Sequence, residues 1–207
     1  MTKPVRSDVG ILALCVLAFC LAMGFGEHLN VWIGTGGAAA VSLLLLRWAP
    51  GVEGRDAWNA TRRNVLLGVG TGLLMAVATW VLYPLSTELL PEIETEVTKL
   101  YALLRQAPGP IAAFPVLLLV VLAEERVWRG LAIDVFGGAR PGARAAVLAA
   151  IVYTFPQIAF RSPLLVAVAL ACGLVWGGLR VYTRGLAAPL LAHLVWDLLV
   201  FVLFPVA

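Results

Sequence analysis

The sequence predicts an all-α, polytopic membrane bundle of about seven spanning helices, and three observations carry the prediction. Hydrophobic residues make up 61% of the 207 and charged residues only 13%, whereas a soluble domain is about one-quarter charged. A soluble fold of this size has no interior large enough to hide so much apolar side chain. Apolar runs close to the roughly 20 residues that a bilayer crossing needs recur along the chain, separated by short polar breaks. Lysine and arginine gather in alternate breaks, the asymmetry of cytoplasmic loops.

The spans fall at 9–25, 31–46, 65–86, 111–136, 143–160, 163–182 and 186–206. The first is longer than a signal-peptide core and is followed by further spans without a small-residue cleavage site, so it reads as a retained span. With the N-terminus inside, Lys3, Arg6, Arg47, Arg55, Arg62, Arg63, Arg140, Arg144, Arg180 and Arg184 share the cytoplasmic side, and only Lys99, Arg105 and Arg161 fall outside. The whole chain, 1–207, is expected to form one integral membrane domain, multi-pass in a bacterial inner (plasma) membrane with the bilayer as its first partner.

Between the third and fourth spans, 87–106 sets Glu88, Glu92, Glu94 and Glu96 beside Leu89, Leu90, Ile93, Val97, Leu100, Leu103 and Leu104 at helical spacing. That pattern predicts an amphipathic helix on the outer surface, either a cover over a site or a solvated connector. Trp48, Trp58, Arg62 and Arg63 precede the third span, where aromatic and basic side chains anchor at the headgroups. Gly68-x-x-x-Gly72 and Gly173-x-x-x-Gly177 permit close helix approach. Cys15, Cys20 and Cys172 lie in apolar runs without metal-type spacing and read as small packing residues. Asn59-Ala60-Thr61 matches a glycosylation acceptor but falls in a cytoplasmic loop, so it reads as chance. The net charge of +3 is scattered rather than gathered into a stripe, which argues against a nucleic-acid partner.

An ionisable residue in a span costs about 2.5–3.5 kcal/mol at the helix centre on insertion scales, so each one inside these runs calls for a partner. The fourth span ends its aliphatic run in Glu124-Glu125-Arg126-Val127-Trp128-Arg129. Glu125 and Arg129 stand one helical turn apart and can pair, whereas Glu124 points about 100° away and is left free to act as a general base. The alternative is a solvated helix end at the cytoplasmic interface. In the last span His193 and Asp197 lie one turn apart on one face, either as interhelical glue or as a functional pair. Between them, Tyr153-Thr154-Phe155-Pro156-Gln157 puts a helix-kinking proline beside Gln157, which is a candidate to meet the other two elements. Counting from the cytoplasmic side leaves Gln157 farther out than Glu124 and His193, so their meeting requires a short fifth span or an inward dip of the chain. Two histidines, one of them His28 in an outer loop, no H-E-x-x-H and a neutral amide at 157 point to a metal-free site.

These three elements together resemble the CPBP family: the CAAX-prenyl proteases and bacteriocin-processing or immunity proteins, also called glutamic-type intramembrane proteases. The family pattern is E-E-x-x-x-R, F-x-x-x-H and H-x-x-x-N or H-x-x-x-D. Glu124-Glu125-x-x-x-Arg129 fits the first element and His193-x-x-x-Asp197 the third, over a resemblance that runs from about 116 to 204 and implies a catalytic core at about 111–206. The middle element departs, with Tyr153 at the phenylalanine position and Gln157 at the histidine position. The resemblance implies a peptide or membrane-protein substrate (a prenyl-type C-terminus, a leader peptide or a C-terminal sorting helix), no cofactor, Glu124 as base, Gln157 as the residue that positions water, and His193 with Asp197 stabilising an oxyanion. Glu125, Arg129 and Tyr153 become supporting residues. Glutamine cannot take a proton near neutral pH, so a catalytically silent relative that binds a partner helix is the alternative. A small proton-coupled transporter using Glu124 and Asp197 is a third reading, without the inverted repeats such proteins show.

Overall fold

The computed structural model describes residues 6–26, 28–49, 58–138 and 141–206. Lys3, Arg55, Arg140 and the side chain of Arg6, which enter the orientation argument, lie outside the described residues. Within them the chain is helical and forms no strand. The helices are α1 (Arg6–Gly24), α2 (Val31–Leu46), α3 (Arg62–Leu89), α4 (Glu92–Leu104), α5 (Phe114–Glu124), α6 (Ile133–Gly137), α7 (Ala143–Tyr153), α8 (Phe155–Ala159), α9 (Pro163–Thr183) and α10 (Ala187–Asp197). A π-helical segment, Glu125–Ala132, joins α5 to α6, and a second, Leu198–Leu203, continues α10.

Each predicted span corresponds to one helical rod: α1, α2, α3, α5 through α6, α7 with α8, α9, and α10 with its π extension. Among the described residues, α1, α3 and α9 are by themselves long and apolar enough to cross a membrane, while α2, Ala143–Ala159 and Ala187–Leu203 are shorter apolar helices. Their outer faces carry exposed large apolar side chains such as Leu66, Leu74, Val81, Leu118, Ile151 and Leu174. That is the surface a bilayer, and not water, covers, and the chain is a membrane protein.

Local sequence explains the ends. The Asn30 side chain accepts from Trp32 N and Ile33 N to cap α2, Thr61 accepts from Asn64 N at α3, and Ser162 accepts from Leu165 N just before Pro163 opens α9. Tyr153 ends α7, Thr154 bridges, and Pro156, which has no N–H to give, restarts the rod as the short α8. The predicted amphipathic segment forms as α4, but 87–89 belong to α3. Ser86 and Thr87 satisfy their hydroxyls on the carbonyls of Leu82 and Pro84 and stay helical, and Pro91 forces the break only after Leu90. On the buried side of α4, Tyr101 donates to Val200 O at 2.7 Å and accepts from Val206 N at 3.3 Å. The following loop is tied to α2 by Gln106 Oε1 accepting from Val31 N and by Asn30 Nδ2 donating to Ala107 O, at 2.7 and 2.8 Å. Asn59 Nδ2 donates to Thr183 O at 2.7 Å, so the amide of the apparent glycosylation acceptor is spent on the fold.

One apolar core draws on all seven rods, from Cys15 and Phe19 through Ala39, Ala76, Val127, Tyr153 and Trp176 to Trp196. Two seams of small residues set its tightest contacts. A Cβ on Gly68 would stand 2.5 Å from Ala188 O and one on Gly72 2.7 Å from Ala192 O, so α3 lies directly on α10. Gly173 and Gly177 in turn seat α9 on Ala150 and Ala146 of α7. We therefore expect Gly72→Val to destabilise the protein by about 1–3 kcal/mol through overpacking. Gly70→Ala, with nothing within 4 Å of the new Cβ, should leave stability unchanged. Thermal unfolding in detergent compares the two, and equal melting would refute the seam.

Candidate active site

The charged residues inside the rods meet at one place. The run that ends α5 brings Glu124 to the last turn and then widens into the π-helical segment, which carries Glu125 and Arg129. The second π segment begins immediately after Asp197, so both rods that bear acidic residues leave α geometry just past them. Single π turns are rare and concentrate at functional sites. The widened turn of the first is held by Arg180 of α9, whose Nε donates to Arg129 O at 3.1 Å while Nη2 lies 3.6 Å from Asp134 Oδ1.

His193 is the centre of the cluster. Its Nδ1 lies 2.8 Å from Glu125 Oε1, and since Glu125 is fully buried and acceptor-only when ionised, Nδ1 carries the proton and donates. That places Nε2 between Asp197 Oδ2 at 3.5 Å and Glu124 Oε2 at 3.8 Å. Glu124 Oε2 also accepts a hydrogen bond of 3.0 Å from the Tyr153 hydroxyl. Glu124 retains 14% side-chain exposure against none for Glu125, so the first carboxylate is the one a substrate can reach.

Arg129 Nη1 stands 3.3 Å from Glu125 Oε1, and the guanidinium sits 4.4 Å from the Tyr153 ring centroid and 4.9 Å from that of Trp176. The Trp176 indole also stacks on the His193 imidazole, with centroids 3.8 Å apart and planes 21° apart. Trp128, packed between Phe19 of α1 and Tyr153, closes the apolar side. Buried polar atoms without a hydrogen-bond partner gather here: Glu125 Oε2, both Arg129 Nη atoms, and the Trp128 and Trp176 Nε1 atoms. Buried polar groups are nearly always paired, and a concentration of exceptions is a mark of function.

Of the residues singled out from the sequence, Glu124, Glu125, Arg129, Tyr153, His193 and Asp197 therefore come together. Gln157 sits in α8, one helical turn beyond Tyr153, and its buried Oε1 has no hydrogen-bond partner. No hydrogen bond or ion pair joins it to the cluster among the described residues. Sequence reasoning placed the span at 163–182 but missed that α9 contributes to the cluster, supplying Trp176 and Arg180 one turn apart. The one available signal was an arginine four residues after a mid-span tryptophan. Among the described residues no group of three His, Cys, Asp or Glu side chains is arranged to hold a metal ion.

Residues 106–199 match the family model of the type II CAAX prenyl endopeptidases, Rce1-like. Over that segment, a little under half of its length, the chain is similar to this family, which is part of the CPBP family it resembles in its motifs. No curated protein and no solved structure matches the chain. The matched segment begins in the loop that Asn30 and Val31 hold and ends two residues past Asp197, so it contains the entire charged cluster and the α9 wall behind it.

A buried pair that loses one partner leaves an uncompensated charge, at about 3–5 kcal/mol. Arg129→Met should therefore destabilise the protein by that amount. Glu125→Gln, which strands the Arg129 guanidinium in the same way, should cost a similar amount, and the double variant should lose less than the sum of the two. Detergent unfolding midpoints of the two single variants and the double variant check this, and additive losses would contradict the pairing.

Proposed function

We propose that the protein is a glutamic-type intramembrane endopeptidase that cuts a membrane-embedded or membrane-proximal peptide. The observation that carries this reading is the convergence of Glu124 Oε2 and Asp197 Oδ2 on His193 Nε2, within 3.8 Å, inside the CPBP segment. In the proposed reaction Glu124 takes a proton from water as the oxygen attacks the substrate carbonyl. The tetrahedral oxyanion then forms against His193 Nε2–H, which Glu125 aims by holding Nδ1, with Asp197 steadying the imidazolium. Collapse breaks the C–N bond, and the proton held by Glu124 passes to the leaving amine. Tyr153 orients the Glu124 carboxylate through its 3.0 Å hydrogen bond. Gln157, a donor and acceptor with no partner of its own on Oε1, fits a residue that orients the water. The substrate class follows the family, as a prenyl-type C-terminus, a leader peptide or a C-terminal sorting helix, and the proposed location is the inner (plasma) membrane with the N-terminus inside.

A second reading has one observation in its favour. Gln157 stands where the family pattern has histidine and cannot share the proton, which suits a silent relative that binds a partner helix.

Mass spectrometry of peptide termini in host membranes separates the two. Glu124→Gln should lower the rate of appearance of the protease-dependent termini by about 10²–10⁴-fold, and Gln157→His should raise it. Normal processing by Glu124→Gln would refute the assignment of the base, and termini that are identical with and without the protein would favour the silent relative.

A further inference from the structure

We propose that Trp176 is the positioning residue that sets the plane of the His193 imidazolium so that Nε2–H is aimed at the developing oxyanion, an inference that rests on the protease reading above. A single hydrogen bond at Nδ1 limits rotation of the ring about Cβ–Cγ but, being tolerant in angle, still leaves it room to rock. Nε2 would then sweep an arc. Neither neighbouring carboxylate stops that motion, since Asp197 Oδ2 and Glu124 Oε2 stand 3.5 and 3.8 Å away, long for a hydrogen bond from a ring N–H. The broad contact that remains is the indole face at 3.8 Å and 21°.

The indole is itself immobilised. Trp176 is 1% exposed, Trp196 packs edge-on against it at 5.9 Å, and Gly173 and Gly177 on either side press α9 onto α7. Arg180, one turn on, fastens the same helix face to Arg129 O. The Trp176 Nε1–H has no hydrogen-bond partner although it is buried. A side chain chosen only to fill space would avoid that cost, as leucine or phenylalanine does. What the indole offers here is its π face, which attracts the imidazolium over it and the Arg129 guanidinium 4.9 Å away. In the proposed reaction His193 holds both ring protons throughout, since Glu124 takes the proton of water, and the oxyanion that Nε2–H meets exists only as the carbonyl is attacked, so correct aim of that N–H belongs to the transition state.

The test uses the full-length protein in detergent or nanodiscs with His28→Asn, which leaves His193 as the one imidazole of the two in the sequence. The ring protons of His193 should resonate upfield, should lose that shift in Trp176→Leu and should keep it in Trp176→Phe. Cleavage by Trp176→Leu should show kcat reduced by about 3- to 30-fold with KM unchanged, and Trp176→Phe should restore most of it. An unshifted ring in the parent protein, a KM effect without a kcat effect, or equal losses in the leucine and phenylalanine variants would each overturn the proposal. Failure of the protease reading looks different. Glu124→Gln would then match the parent in cleavage, while the ring shifts would still report whether the stack exists.

Discussion

The Glu125–His193 hydrogen bond is the interaction on which the arrangement of the bundle depends. In a bilayer, charge in the middle of a rod is tolerated only with a partner, and Glu125 has no exposure through which water could serve instead. Arg129 on its own rod balances part of that charge, but the second bond goes to a residue 68 positions away on the last rod. Once that bond forms, the rod of α5 and α6 and the C-terminal rod are in register. Asp197 and Glu124 follow from helical geometry, one turn along α10 and one residue before Glu125.

The remaining helices act as supports for that pair. α3 presses on α10 through Gly68 and Gly72, directly behind Ala192 and so behind His193. α9 presses on α7 through its own glycines and presents Trp176 and Arg180 to the same cluster. α7 contributes Tyr153 at its last turn, where the break before Pro156 lets the following residues depart from the rod. α1 and α2 hold the outside, the first through Phe19 against Trp128 and the second through the clasp of Asn30 on Ala107. The buried carboxylates and the small-residue seams are thus parts of one mechanical arrangement.

Much of this was legible in the sequence because a membrane imposes length. The seven apolar runs correspond to the seven rods within a few residues, and the glycine pairs mark the close seams, since lipid gives helices few other reasons to carry Gly at spacing four. Glu125 with Arg129, and His193 with Asp197, were visible because each pair lies on one rod. The bond from Glu125 to His193 was not, because nothing in local spacing says which rods are neighbours. Trp176 reads as one more large apolar residue until its ring is found on the imidazole. The extension of α3 to Leu89 was missed for a local reason, hydroxyls of Ser86 and Thr87 that bond back to the helix where polar residues suggested its end.

The two π segments have a consequence for chain length as distinct from chemistry. A π turn holds one residue more than the α turn it replaces, so each acts as an insertion absorbed without a loop. Removing one residue between Glu125 and Ala132 would restore an unbroken α-helix and rotate everything after it by about 100°. Asp134 and the Arg129 carbonyl, which now face Arg180 together, would then point to different sides of the rod. In these stretches a one-residue deletion acts through geometry whichever residue is removed, whereas the loops between rods can lose a residue without turning a helix face.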